Sequence, residues 1–197
     1  MLIIGHRGAA GLAEENTLRS FTTAQEYGVD MIEMDLRKSN GQIILAHSRW
    51  DKDKKNVYLS QVLDLINIPL NLEVKESGFE GELLRAIKNV SSSVLISSKY
   101  PSILQKIRAL DENIKLGLVI GKGNFFLLPF VARLDRSINL YSVHPKMFLS
   151  NSWVIRFLKD LGKKIFVWTI NDPNKFTKLE KLGIDGVFTD RPDLIKR

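Results

Sequence analysis

The chain contains no cysteine, which excludes disulfides, thiolate metal centres and a thiol nucleophile. Long apolar runs are missing as well: the most apolar segment, GNFFLLPFVA at 123–132, carries Pro129 and falls well short of the roughly 18 residues a membrane-spanning helix needs. MLIIGHRG at the start lacks a basic leader followed by an apolar stretch of signal-peptide length, so the expected location is cytoplasmic. Neither a glycine-rich dinucleotide fingerprint nor a P-loop is present, which argues against a nucleotide-binding sheet. Basic residues exceed acidic ones by a net charge of +7, but they are scattered, with short clusters only at 52–55 (KDKK) and 163–164. A solvated surface accounts for most of that charge, and no nucleic-acid partner is expected. A positive field does favour anionic ligands such as phosphate esters, or an anionic lipid surface.

What is there describes a globular chain. With 197 residues, 44% hydrophobic and 26% charged, it can bury a real core and is expected to form a single domain over 1–197. β-rich runs fall at 2–5, 30–35, 70–75, 94–98, 115–120, 139–143, 165–169 and 186–190. Helix patterns lie between them near 17–27, 59–66, 79–90, 101–110, 125–135, 151–161 and 173–182. Thr17 is placed to cap the first helix and Gly28 to end it. Eight alternating units predict an α/β fold, a closed (β/α)8 barrel with parallel strands.

The stretch IEMDLRKSNGQIILAH at 32–47 adds a strand beyond the eight. Alternate strand residues share a face, so Glu33 and Asp35 point together, and two like charges that close require a compensating cation, base or solvent. Asn40-Gly41 is a hairpin signal that folds QIILAH back antiparallel after the second strand. A two-residue loop pairs Met34 with His47; a three-residue loop with Gly41 in a bulge pairs Glu33 with His47. The second register gathers the polar groups on one face and is the expectation here.

Active sites of such barrels form at the C-terminal ends of the strands. There the sequence places His6 and Arg7 after the first strand, Glu33 and Asp35 on the second, and Glu73 and Lys75 on the third. His144 follows the sixth strand, Trp168 ends the seventh, and Asp190 ends the eighth. Glu33, Asp35 and Glu73 make an oxygen-rich cage suited to one hard divalent cation, Mg2+ or Ca2+. Arg7 and Lys75 suit anionic oxygens, and His6 and His47 suit general acid–base work on either side of a phosphorus atom. His144 is either a rim residue or a substrate contact, and Trp168 a pocket wall. Asn16 and Asp190 are read as holding loops through backbone hydrogen bonds.

Taken in order, HRG at 6–8, ENT at 15–17, ExD at 33–35, the histidine at 47, ExK at 73–75, WTIND at 168–172 and GIDGVFTDRP at 183–192 resemble the glycerophosphodiester phosphodiesterases. The resemblance runs nearly end to end. It implies a (β/α)8 barrel that hydrolyses glycerophosphodiesters to an alcohol and glycerol 3-phosphate, a small-molecule phosphodiester substrate. By matching motif it casts His6 and His47 as the acid–base pair and Glu33, Asp35 and Glu73 as metal ligands. Arg7 and Lys75 hold the phosphate, and Trp168 lines the pocket.

Two departures stand out. The family usually reads histidine-aspartate where this chain has His47-Ser48, and only 22 residues, 48–69, separate that histidine from the next strand, where similar members insert a small subdomain over the site. An open mouth widens the substrate class toward lysophospholipids, cleaved as a phospholipase D or C would, and a weakly active phosphate-binding barrel is the rival from another class. Phe125, Phe126, Leu127, Leu128 and Phe130 are expected to be core; the alternative is a lip in peripheral contact with lipid.

Overall fold

In the computed structural model, which describes residues 1–51 and 56–195, eight parallel strands close into a barrel with helices between them; the cluster at 52–55 lies outside the described residues. In chain order the strands are β1 (Leu2–Gly5), β2 (Met31–Ser39), β3 (Gln42–Leu45), β4 (Leu70–Val74), β5 (Val94–Ser98), β6 (Lys115–Ile120), β7 (Ser142–Pro145), β8 (Lys164–Val167) and β9 (Gly186–Thr189). The helices are α1 (Leu18–Glu26), α2 (Leu59–Leu65), α3 (Glu80–Ile87), α4 (Pro101–Leu110), α5 (Val131–Ile138), α6 (Ser152–Asp160) and α7 (Pro173–Lys181). Neighbours run β1-β9-β8-β7-β6-β5-β4-β2, and pairing of Ile4 with Met31 closes the ring. Among the named strands of the described residues only β3 is antiparallel; it pairs with the part of β2 that extends beyond the barrel.

The packing has two layers. The larger core lies between barrel and helices: Ile32, Met34, Leu36, Leu72 and Val74 face outward from β2 and β4 to meet buried residues such as Phe21, Val62 and Leu83. Inside the barrel a smaller plug is formed by Ile4, Met31, Leu95, Phe166 and Phe188. α1 begins as its sequence requires, with Thr17 Oγ1 accepting from the Ser20 amide and Ser20 Oγ accepting from the Thr17 amide.

Above the plug the inward residues of β4 to β7 are small or polar. Asn71, Ser97, Gly117 and Ser142 leave room for the His144 ring, which lies 5.3 Å from the Phe166 ring and 5.2 Å from that of Phe188. A Cβ on Gly117 would stand 2.8 Å from the His144 ring and 2.9 Å from Ser142 Oγ. Gly117→Val is therefore expected to destabilise the fold by about 1–3 kcal/mol through overpacking. A urea midpoint equal to that of the wild type would contradict this account of the interior.

Three expectations are corrected. The sixth barrel strand is Ser142–Pro145, not 139–143: Asn139 ends α5 in a left-handed conformation (φ 48°), and the strand starts three residues later. His144 thus lies within a strand rather than after one. The hairpin has the two-residue loop, because Asn40 and Gly41 both take positive φ (48° and 77°) and Ser39 pairs directly with Gln42. Finally, Phe125, Phe126 and Phe130 are exposed instead of core; Leu128 alone of that group is buried. The segment forms a 3-10 turn (Phe125–Phe130) at the barrel mouth, with Phe126 and Leu127 on the cavity wall.

Candidate active site

Strand parity builds the site. Each barrel strand sends every second residue inward, so the line that starts with a plug residue ends at the mouth with a functional one. Ile4 leads to His6, Met31 to Glu33 and Asp35, Phe166 to Trp168, and Phe188 to Asp190. Register then gathers the acids: Glu33 pairs across with Asn71, and Asp35 with Glu73. The result is a cavity of about 570 Å³ lined by His6, Arg7, Glu33, His47, Glu73 and Lys75 on one side and by Trp168 and the β5 and β6 loops on the other.

Glu33, Asp35 and Glu73 each offer a carboxylate oxygen, all within 4.8 Å of one another. Their surroundings differ. Asp35 is pinned: Arg7 Nε lies 3.0 Å from one oxygen and Lys75 Nζ 2.8 Å from the other, while Asn16 donates to its carboxylate and accepts from its amide. Burial alone would raise its pKa, but Lys75 and Arg7 outweigh that and bring it down to about 2. Among the described residues Glu33 receives only the Arg7 amide, at 2.8 Å, on Oε2. Its Oε1 is buried without a hydrogen-bond partner. Burial, with the charge of Asp35 beside it, pushes Glu33 up to about 7. A buried carboxylate oxygen with nothing to bind, facing two other carboxylates, fits a hard cation.

The basic side chains lie across the same cage. Arg7 divides its guanidinium between Asp35 and Glu15, and Lys75 bridges Asp35 and Glu73, at 2.7 Å from the latter. The opposing charges hold both side chains cationic.

The two histidines are set differently. His6 Nδ1 lies 2.7 Å from Asp190 Oδ1, leaving Nε2 to the cavity. Burial works to lower its pKa, but the Asp190 hydrogen bond and the charge of Glu33 outweigh it, so the pKa is raised. Asp190 is itself held by Asn171. Among the described residues His47 has no such partner, and burial followed by the nearby charge of Arg7 lowers its pKa.

His47 reaches the cavity in spite of its register. The ladder stops at Leu36–Leu45, the chain turns away after Ala46, and strand parity no longer decides where residue 47 points. Ser48 then starts the turn: its Oγ accepts from the Trp50 amide and its own amide donates to Asp51. The His47 carbonyl is held by Arg37.

His144 sits at the floor of the cavity, fully buried, its Nε2 2.8 Å from Ser142 Oγ. Burial lowers its pKa to about 3, so it is a neutral ring. Trp168 Nε1 donates to the His144 carbonyl, and Lys146 lies 5.0 Å over the indole.

The sequence profile of the glycerophosphoryl diester phosphodiesterase family matches residues 6–50 and 60–194. The chain belongs to this family. A glycerophosphodiester phosphodiesterase of Caldanaerobacter subterraneus is 26% identical over 98% of this chain and 96% of its own length. The Bacillus subtilis protein YhdW is 30% identical over 99% of this chain and 96% of its own. Among solved structures, the glycerophosphodiester phosphodiesterase of Thermotoga maritima superposes with a TM-score of 0.86, at 26% identity, covering 98% of this chain and 96% of that one. The break in the family match at 51–59 falls in the short connection after His47, and the Caldanaerobacter alignment spans 236 positions against 197 residues here.

Asp190 is the residue that sequence reasoning assigned too little. Read as a loop anchor, it is the hydrogen-bond partner of His6. The signal was available: in GVFTD the period of two puts Asp190 on the face of Phe188, next to the first strand once the barrel closes.

Proposed function

We propose that the protein hydrolyses glycerophosphodiesters to an alcohol and sn-glycerol 3-phosphate in this cavity. The observation that best supports the reading is the convergence of three carboxylates, with a buried Glu33 oxygen that has no hydrogen-bond partner, beside a cavity whose wall carries two histidines and two cationic side chains. Glu33, Asp35 and Glu73 would hold one divalent cation, Mg2+ or Ca2+, since every donor is an oxygen. When bound, such a cation polarises a phosphoryl oxygen and offsets charge developing on it.

The remaining work falls to the side chains of this chain. Arg7 and Lys75 neutralise the non-bridging phosphate oxygens and fix the diester against the β2–β4 wall. His47, with its lowered pKa, is neutral near pH 7 and takes the proton from an attacking water. His6, with its raised pKa, carries the proton that passes from Nε2 to the departing alcohol oxygen, and Asp190 steadies the imidazolium beforehand. One P–O bond forms to water and one breaks to the alcohol. Trp168 walls the glycerol side, and His144 supports it from the floor through the indole hydrogen bond.

Incubation with glycerophosphocholine in the presence of Mg2+ or Ca2+ tests the reading. Choline and sn-glycerol 3-phosphate are the expected products; phosphocholine, a persistent cyclic phosphate, or tight binding without turnover would each replace it.

A further inference from the structure

The rim above β5, β6 and β7 differs from the rest of the mouth. Tyr100 follows β5, Phe125, Phe126 and Phe130 follow β6, and Phe148 and Trp153 follow β7, three strands that are consecutive neighbours. The five residues after β6 and β7 are 53–68% exposed. Segments 99–110, 121–134 and 145–159 contain no aspartate or glutamate, whereas Lys99, Lys122 and Lys146 stand among the aromatics. Outside this arc Trp50, three residues after His47, is exposed too, but there Glu14, Glu15 and Asp51 stand beside His47 and Asp190 holds His6, so it is the lack of acids among exposed rings that belongs to this arc.

Exposed rings on separate loops, interleaved with lysines and lacking any acid, match the layered chemistry of an anionic bilayer surface. Rings settle at the headgroup–acyl boundary while ammonium groups meet phosphates. A second copy of this chain fits less well, because it would set lysine against lysine. We propose that this rim seats the protein on an anionic lipid surface, with the cavity opening at headgroup level. Phe126, Lys99 and Lys122 line both the rim and the cavity, so the seat and the entrance are one structure. If the hydrolytic reading holds, and this part rests on it, lysophospholipids within the surface become substrates that need not leave it.

Binding is measured without turnover, by sedimentation with vesicles of phosphatidylcholine alone and of phosphatidylcholine with phosphatidylglycerol. Retention is expected on the anionic vesicles and is expected to fall at high salt. The variant Phe125→Ser/Phe130→Ser/Phe148→Ser changes only exposed positions outside the cavity lining. It should lose at least about tenfold of that retention while hydrolysing soluble glycerophosphocholine like the wild type, which also shows that it is folded. A Lys122→Glu variant should lose retention on anionic vesicles as well. No retention of the wild type, equal retention of the triple variant, or a dimer that the triple variant splits in the absence of lipid would overturn the proposal.

Discussion

His6→Ala is expected to lower kcat for a soluble glycerophosphodiester by roughly 10²- to 10⁴-fold, the range for a positioned acid or base, with KM little changed. The ring is fixed from one side by Asp190 at 2.7 Å and presents only Nε2 to the cavity, so its loss removes proton transfer and leaves the charged groups that hold the diester. The same geometry sets the pH profile. His47 has a lowered pKa and must be neutral, so activity falls at low pH as it protonates. His6 has a raised pKa and must be protonated, so activity falls at high pH as the proton leaves. Asp190→Asn removes the carboxylate that raises His6, and its alkaline limb should move to lower pH while the acid limb stays. An unchanged alkaline limb would take the acid role away from His6.

Glu33→Gln should abolish cation-dependent turnover without unfolding the protein. The substitution preserves shape and removes a buried charge that, in the chain alone, has an unpartnered oxygen. Without added cation the variant should therefore be at least as stable as the wild type. With cation the order reverses, since a ligand bound only by the folded state stabilises it by about 2.7 kcal/mol at a hundredfold excess over Kd. Loss of one carboxylate ligand should weaken cation affinity by more than the ~10–100-fold typical of losing an outer-shell partner. Equal thermal shifts with Mg2+ or Ca2+ in both proteins would show that the cage is not where the cation sits.

Much of this site was legible because a barrel turns a period of two into a radial direction. Once Glu33 and Asp35 are given to one strand and Glu73 and Lys75 to another, closure makes them neighbours, whatever the loops do. The failures arose where that period stops. His47 lies two residues beyond its ladder, so a register argument could not place it; the preferred bulge was wrong, yet the residue still faces the cavity. The strand carrying His144 starts later than its apolar pattern suggests because Asn139 spends its left-handed turn on ending α5. Phe125, Phe126 and Phe130 looked like core by composition, but they occupy a loop at the barrel mouth, and hydrophobicity alone does not say which end of a barrel a loop crowns.

The most direct test is a cation titration of protein stripped with EDTA, following binding and glycerol 3-phosphate release in the same samples for wild type and Glu33→Gln. The account predicts silence in the stripped enzyme, and turnover that saturates together with binding in the wild type and fails in the variant. Full turnover after stripping, or cation-restored turnover in Glu33→Gln at wild-type concentrations, would contradict it.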